Sequence, residues 1–187
     1  MITYIAILRG INVSGQKIIK MVELRSCLQT LAIENIQTYI QSGNIVFNSK
    51  LTDTKLLEAN IRNLILDNWG FDVPIIIRKL EELWKIKKEN PFIKNHDIDL
   101  TKLAVTFLSE KPTKDLIKGF LTFKDPVDKF EFNTREIYLH CPNGFGRSKL
   151  TNNFFEQKLK VACSSRNWKT LNKLIEIGEE IKGKRDN

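Results

Sequence analysis

Several features that mark secreted, metal-bound and membrane proteins are scarce in this sequence. Its three cysteines, at positions 27, 141 and 163, include no close pair, which argues against a disulfide framework and a zinc ribbon. No apolar run approaches the roughly 18 residues that a membrane span requires, and no basic segment marks a signal peptide at the start. These absences predict a cytoplasmic protein without membrane association, and nothing in the sequence predicts a metal ion or a cofactor.

Histidine is also rare, and this limits the hydrolytic chemistry open to the protein. His96 falls in a predicted loop and His140 on a predicted strand, and neither belongs to a His-Glu-x-x-His motif. A Gly-x-Ser-x-Gly motif is missing too. Cys27 lies on the apolar stripe of a predicted helix, so we expect it to be buried and unreactive. No catalytic residue is assigned from these patterns.

The chain carries a net charge of +8, from 30 Lys and Arg against 22 Asp and Glu. Such an excess favours an anionic partner, either nucleic acid or a small phosphate-bearing molecule. The excess is spread evenly along the chain, however, and genome composition explains it equally well. The net charge alone therefore does not show whether the basic excess serves an anionic partner or reflects genome composition.

Apolar periodicity predicts an α+β protein in which one order of elements occurs twice. The predicted strands are 3–8, 36–41, 44–48, 71–77, 103–108, 129–132, 136–141 and 161–164. The predicted helices are 21–31, 53–65, 80–88, 112–121, 149–160 and 168–177. This order predicts two ferredoxin-like βαββαβ repeats, each followed by an extra helix and packed as one globule. We place the repeats in residues 1–95 and 96–187, with a two-residue hairpin turn at Ser42-Gly43.

Four stretches of the chain carry a family resemblance. They are LRGINVSG at 8–15, YIQSGNIVF at 39–47, GRSKLT at 146–151 and SRNWKT at 165–170. With them the sequence resembles the bacterial family known as domain of unknown function 1697, nearly from end to end and including Asn90-Pro91-Phe92. The resemblance implies a cytoplasmic protein with two ferredoxin-like repeats, and it supplies no activity.

A glycine-containing loop follows the first strand and precedes a helix, as a phosphate-binding loop does. A P-loop needs Gly-Lys-Ser/Thr, whereas here Lys17 comes one residue late and Ile18 follows it, so a P-loop is rejected. A looser anion-binding loop remains, in which Arg9 and Asn12 join the backbone amides. The alternative is that the glycines only supply positive φ.

Basic residues at two predicted helix starts give a second signal for an anion. Arg147 and Lys149 precede one helix and Arg166 the other, where a cation opposes the helix dipole at a cost of roughly 0.3–1 kcal/mol. A bound phosphate reverses the sign of that interaction. The alternative is that each arginine turns away to pair with an acid or a carbonyl group. The pattern predicts a solvent-facing anion site formed by Arg9, Asn12, Arg147, Ser148, Lys149 and Arg166.

Four further polar residues are possible ligand contacts, each with a structural alternative. Gln41 and Asn44 flank a good hairpin turn, and their amides suit a base edge or a sugar hydroxyl. Asn167 and Thr170 flank Trp168, whose ring either stacks on a base or, as we favour, anchors the last helix on the core.

Three classes of function are consistent with these patterns. The leading hypothesis is binding of a phosphate-bearing ligand, a nucleotide or a nucleic-acid backbone, at the basic helix starts and the 9–15 loop. The second is an enzyme acting on a small anionic substrate, with Arg9, Arg147 and Arg166 as clamps and Ser148 or Thr170 nearby. The third is a structural or protein-interaction module without a small-molecule ligand. The signature of RNA-recognition domains is not met, and the sequence does not predict the oligomeric state.

Overall fold

A computed structural model describes residues 1–95 and 97–183 of the chain; His96, predicted in a loop, lies outside them. The chain forms two compact units. The first contains Met1–Lys85 and residues 173–183, and the second contains the described residues of Ile86–Asn172. Among the described residues, no helix has the length and apolarity needed to span a bilayer.

The first unit contains one four-stranded antiparallel sheet. Its elements are β1 (Ile2–Leu8), α1 (Met21–Leu28), β2 (Glu34–Tyr39), β3 (Asn44–Ser49), α2 (Thr54–Trp69), β4 (Ile75–Lys79) and the start of α3 (Leu80–Glu89). The strand order is β2-β3-β1-β4, and every neighbouring pair is antiparallel. The predicted pairing of the second strand with the third is confirmed.

The second unit repeats this arrangement. Its elements are β5 (Leu103–Leu108), α4 (Lys114–Phe120), β6 (Lys129–Asn133), β7 (Glu136–His140), α5 (Asn152–Leu159), β8 (Cys163–Asn167) and the start of α6 (Trp168–Gly183). Short 3-10 helices occur at Pro91–Lys94, Leu100–Lys102 and Phe145–Arg147. The strand order is β6-β7-β5-β8. The predicted α+β fold, with two βαββ units of the same order, is confirmed.

Alternation along β1 explains the core of the first unit. Tyr4, Ala6 and Leu8 face the helix side and pack with apolar residues of α1 and α2. Ile5 and Ile7, on the opposite face, are fully buried as well. Strand β1 is therefore buried on both faces, and this explains the continuous apolar run in its sequence.

The C-terminal half of α6 completes the first unit. The Asn48 side-chain amide donates to the Ile181 carbonyl at 3.4 Å, and the Trp84 indole donates to the Glu179 carboxylate at 2.6 Å. Gly178 passes so close to Leu80 that a Cβ atom added to the glycine would lie 2.6 Å from the Leu80 Cδ1 atom. The last helix is thus an integral part of the unit that begins the chain.

Capping residues define the helix ends. Asp53 accepts hydrogen bonds from the backbone amides of Lys55 and Leu56 at the start of α2, and Gly70 closes that helix with φ +68°. Thr151 caps α5 through the amide of Phe154 at 3.2 Å. Helix α5 therefore begins at Asn152, three residues later than predicted.

Three further sequence-based expectations differ from the structure. The hairpin between β2 and β3 has a four-residue loop at 40–43, because Ile40 adopts a left-handed backbone with φ +49°. Strand β8 runs two to three residues further along the chain than predicted. Cys27 is half-buried rather than buried, with its Sγ atom 3.7 Å from the Asn68 side-chain oxygen.

Candidate functional site

The Asn12 side chain joins two loops of the first unit. Its Nδ2 atom donates to the carbonyl groups of Ile19 at 2.9 Å and Gln41 at 2.8 Å, and its Oδ1 atom accepts from the Ile19 amide at 2.8 Å. Both amide hydrogens are therefore engaged. In this structure Asn12 holds the loop after β1 against the hairpin loop, and its binding of an anion stays a prediction.

The other polar candidates of the first unit have structural contacts too. Asn44 is fully buried and donates to the Tyr39 carbonyl and the Ser42 hydroxyl. Gln41 is exposed, and its carbonyl is the one that accepts from Asn12. Arg9 is half-buried and directly follows β1. Gly10 and Gly15 have φ of +72° and +74°, as the structural interpretation of the loop required.

Arg166 lies within the sheet of the second unit. It pairs with Val105 in the β5–β8 ladder and is only 7% exposed. Its guanidinium Nη1 atom donates to the Ser164 hydroxyl and the Ser165 carbonyl, both at 2.8 Å. The solvent-facing position predicted for Arg166 is wrong, because β8 extends to Asn167 and carries this side chain into the interior.

Arg147 and Lys149 are exposed, but they lie outside the first turn of α5. Arg147 ends a short 3-10 helix, in which its backbone amide donates to the Gly144 carbonyl at 3.2 Å, and its guanidinium forms no hydrogen bond or ion pair with the described residues. Ser148 accepts from the Leu150 amide at 2.9 Å and from the Cys141 thiol at 3.6 Å. Backbone hydrogen bonds lower the pKa of Asp125, and nearby Lys149 lowers it further.

Asn167 and Thr170 form the start of α6. The Asn167 side-chain oxygen accepts from the Thr170 amide at 2.8 Å, and Thr170 is 5% exposed. Trp168 between them is buried. These contacts agree with the structural alternative, in which the three residues hold the last helix in place rather than contact a ligand.

A cleft of about 300 Å³ opens at one end of the second sheet. Lys129, the first residue of β6, faces His140, the last residue of β7, across the strand ladder. The Phe92 ring lies 5.9 Å from the imidazole, between ring centres. The remaining lining residues are Pro91, Asn95, Asp97, Ile98 and Asp99.

The cleft brings together three kinds of polar group. Burial, and then the charge of Lys129, lowers the pKa of His140, so the imidazole is neutral at pH 7. Hydrogen bonds from the Thr101 hydroxyl and amide lower the pKa of Asp99, which is therefore ionised. The Lys129 ammonium forms no salt bridge with the described part of the chain. A neutral donor, a carboxylate and an available cation thus share one cavity beside an aromatic ring.

Sequence reasoning missed this cleft. In the sequence Phe92 stands out only within the family resemblance, and His140 belongs to no recognised catalytic motif. The cleft depends on the 3-10 segment after α3 packing over the end of β7, and apolar periodicity carries no information about that contact.

Comparison with known proteins gives a fold and a family. No protein of curated function is similar enough in sequence to match the chain. Among solved structures, a conserved bacterial protein from Streptococcus pneumoniae is 23% identical with a TM-score of 0.74, covering 95% of this chain and 98% of that one. At this identity the likeness shows the fold alone. The family model described as protein of unknown function DUF1697 matches residues 1–138, and the chain belongs to that family.

Proposed function

We propose that the protein binds a small phosphate-bearing ligand, a nucleotide, in the cleft of the second unit. The observation that carries the proposal is the Lys129 ammonium, without a salt bridge to the described residues, at a cavity that also contains the Phe92 ring and the neutral His140 imidazole. A cavity of about 300 Å³ is at the lower end of the range for small-molecule sites.

Each group has a role in this proposal. The Lys129 ammonium attracts the phosphate, and a neutral imidazole at His140 donates one hydrogen bond without a second positive charge. The Phe92 ring offers a flat apolar surface to a base. Arg147 and Lys149 follow β7 in the chain, at the same end of the sheet, and remain candidate contacts for the phosphate.

Calorimetric titration with AMP, ribose 5-phosphate and inorganic phosphate tests the proposal. We expect Lys129→Gln to weaken binding of the phosphate-bearing probes about tenfold or more, the equivalent of one charge-assisted hydrogen bond. Phe92→Leu is expected to weaken AMP but not ribose 5-phosphate. Lys158→Gln, an exposed lysine of α5, is the matched control.

Two results would contradict the proposal. One is that none of the probes binds the wild-type protein at millimolar concentration. The other is that Lys129→Gln and Lys158→Gln bind alike. If short RNA binds instead, with an affinity that falls steeply as salt increases, the ligand is a nucleic-acid backbone.

We also propose that this protein works in the cytoplasm and that its two units are an internal repeat. Cys27, Cys141 and Cys163 are free thiols, which is usual in reducing compartments. The matching strand orders of the two sheets support the repeat.

A further inference from the structure

The Asp99 carboxylate is a positioned hydrogen-bond acceptor in the wall of the cleft. Asp99 lines the cleft and caps the short 3-10 helix Leu100–Lys102. Its Oδ1 atom accepts from the Thr101 amide at 2.9 Å and from the Thr101 hydroxyl at 2.6 Å, whereas its Oδ2 atom forms no hydrogen bond with residues 1–95 or 97–183. Thr101 thus holds one oxygen of the carboxylate, and the other oxygen can accept from a ligand.

The register of the second sheet places charged groups on both sides of His140. His140 of β7 pairs with Lys129 on the β6 side and with Leu103 on the β5 side, and the segment that Asp99 caps leads directly into Leu103. Burial and the charge of Lys129 lower the pKa of His140. The charges of Asp128 and Asp99 raise it, so both carboxylates lie near the imidazole. A cation and an accepting carboxylate therefore flank the imidazole in one cleft.

The charges of the cleft limit the kind of phosphate compound that it can hold. Lys129 supplies a cation, whereas Asp97 and Asp99 supply two carboxylates. Inorganic phosphate at Lys129 would also face carboxylates of its own sign. A phosphate ester whose other part carries hydroxyl groups keeps its anionic group at Lys129 and presents hydrogen-bond donors to a carboxylate. The cleft therefore favours an ester with hydroxyl donors over the free anion.

We propose that the Asp99 Oδ2 atom accepts hydrogen bonds from the vicinal hydroxyl groups of the ligand's ribose, so that the cleft selects ribonucleotides over nucleotides without these hydroxyls. This inference rests on the proposed function. With the phosphate at Lys129 and the base against Phe92, the ribose is the part of the nucleotide that remains for Asp99. A carboxylate oxygen is a strong acceptor for hydroxyl donors, and an acidic residue also binds the ribose in dinucleotide-binding folds.

Calorimetric titration with AMP and 2′,3′-dideoxy-AMP tests this selection, because the second compound has the same base and phosphate but neither hydroxyl. We expect AMP to bind wild-type protein about tenfold more tightly, the equivalent of one charge-assisted hydrogen bond. Asp99→Ser should weaken AMP by about this factor and leave the affinity for dideoxy-AMP unchanged. Serine retains an oxygen that can cap the 3-10 helix, and it lacks the second carboxylate oxygen.

Asp53→Ser is the matched control. Asp53 caps α2 in the first unit through the amides of Lys55 and Leu56, so this variant removes the same charge from the same kind of capping position. It should bind both nucleotides as wild-type protein does. A general effect of the lost negative charge would occur in both variants, whereas loss of a ribose contact would occur in Asp99→Ser alone.

The outcomes separate this inference from the proposed function. If neither nucleotide binds wild-type protein at millimolar concentration, the proposed function fails and this inference fails with it. If both bind wild-type protein equally, or if Asp99→Ser retains the preference for AMP, this inference alone is overturned. It is overturned too if Asp99→Ser, but not Asp53→Ser, weakens both nucleotides alike, because Asp99 then maintains the shape of the cleft and does not contact the ribose.

Discussion

Arg78 and Arg166 occupy the same position in the two units. Each is the fourth residue of the last strand of its sheet, and each is buried, at 0% and 7% exposure. In both, the Nη1 atom donates to the carbonyl of the preceding residue, at 3.1 Å in Arg78 and 2.8 Å in Arg166. A buried arginine at this register is thus a shared feature of the two sheets, and it indicates a structural role for Arg166.

Substitution of Arg166 is expected to destabilise the protein. Arg166→Ala removes two hydrogen bonds from a charged donor and leaves the Ser164 hydroxyl without this contact, so we expect a loss of at least roughly 1.5–3 kcal/mol in the free energy of unfolding. Arg147→Ala, at an exposed position, should change it by less than about 0.5 kcal/mol. Urea denaturation measures both. If the two variants have equal free energies of unfolding, the structural role of Arg166 is wrong and it is again a candidate ligand contact.

Gly43 is expected to tolerate no side chain. A Cβ atom there would lie 2.7 Å from the Leu8 Cβ atom and 2.8 Å from the Ile11 Cδ1 atom, with φ at +76°. Gly43→Ala should cost roughly 1–3 kcal/mol from overpacking beyond the cost of the left-handed backbone. Gly10→Ala, at φ +72° in open space, isolates the backbone cost of about 1–2 kcal/mol. Thermal unfolding of the two variants compares them, and an equal loss would rule out the predicted contact.

The three thiols are expected to differ in reactivity. Cys27 is half-buried, whereas Cys141 and Cys163 are fully buried. Burial also raises the pKa of Cys141 to about 11, with the Ser148 hydroxyl opposing the rise. Under native conditions a thiol reagent should therefore modify Cys27 about tenfold faster or more than the other two. Peptide mass spectrometry after timed labelling measures the order, and faster labelling of Cys141 or Cys163 would contradict it.

His140 is expected to make stability depend on pH in a defined direction. Folding lowers its pKa below 6.5, chiefly by burial, so the unfolded chain binds more protons than the folded chain between the two pKa values. The free energy of unfolding should therefore decrease as the pH falls through this window, below about 6.5. NMR titration of the imidazole gives the folded pKa, and His140→Asn should reduce the decrease. A midpoint at or above 6.5 would contradict this assignment.

Element order was predictable from sequence because apolar periodicity reports which face of an element is buried. Strands 3–8 and 103–108 read as uninterrupted apolar runs, and both are central strands buried on two faces. The predicted start of the second helix near residue 53 is confirmed, because the Asp53 carboxylate accepts from the first free amides of α2. These signals are local, and each depends on residues a few positions apart.

The candidate site was less predictable because its residues are set by register and by tertiary contacts. A shift of two to three residues in β8 moved Arg166 from a helix start into the sheet. The left-handed backbone of Ile40 is unusual for a β-branched residue, and no sequence pattern indicated it. The cleft joins Phe92, Lys129 and His140, which lie far apart in the chain, so only the folded unit shows that they are neighbours.

The contacts of α6 with the first unit have a consequence for biosynthesis. The partners of Asn48, Leu80 and Trp84 come from residues 178–181, which are translated after every strand of the second unit. The unit whose sheet is translated first is therefore completed only after the sheet of the second unit has been made. Until then one face of its sheet lacks part of its cover, and a chain that stops before the final helix leaves that face open to unintended association.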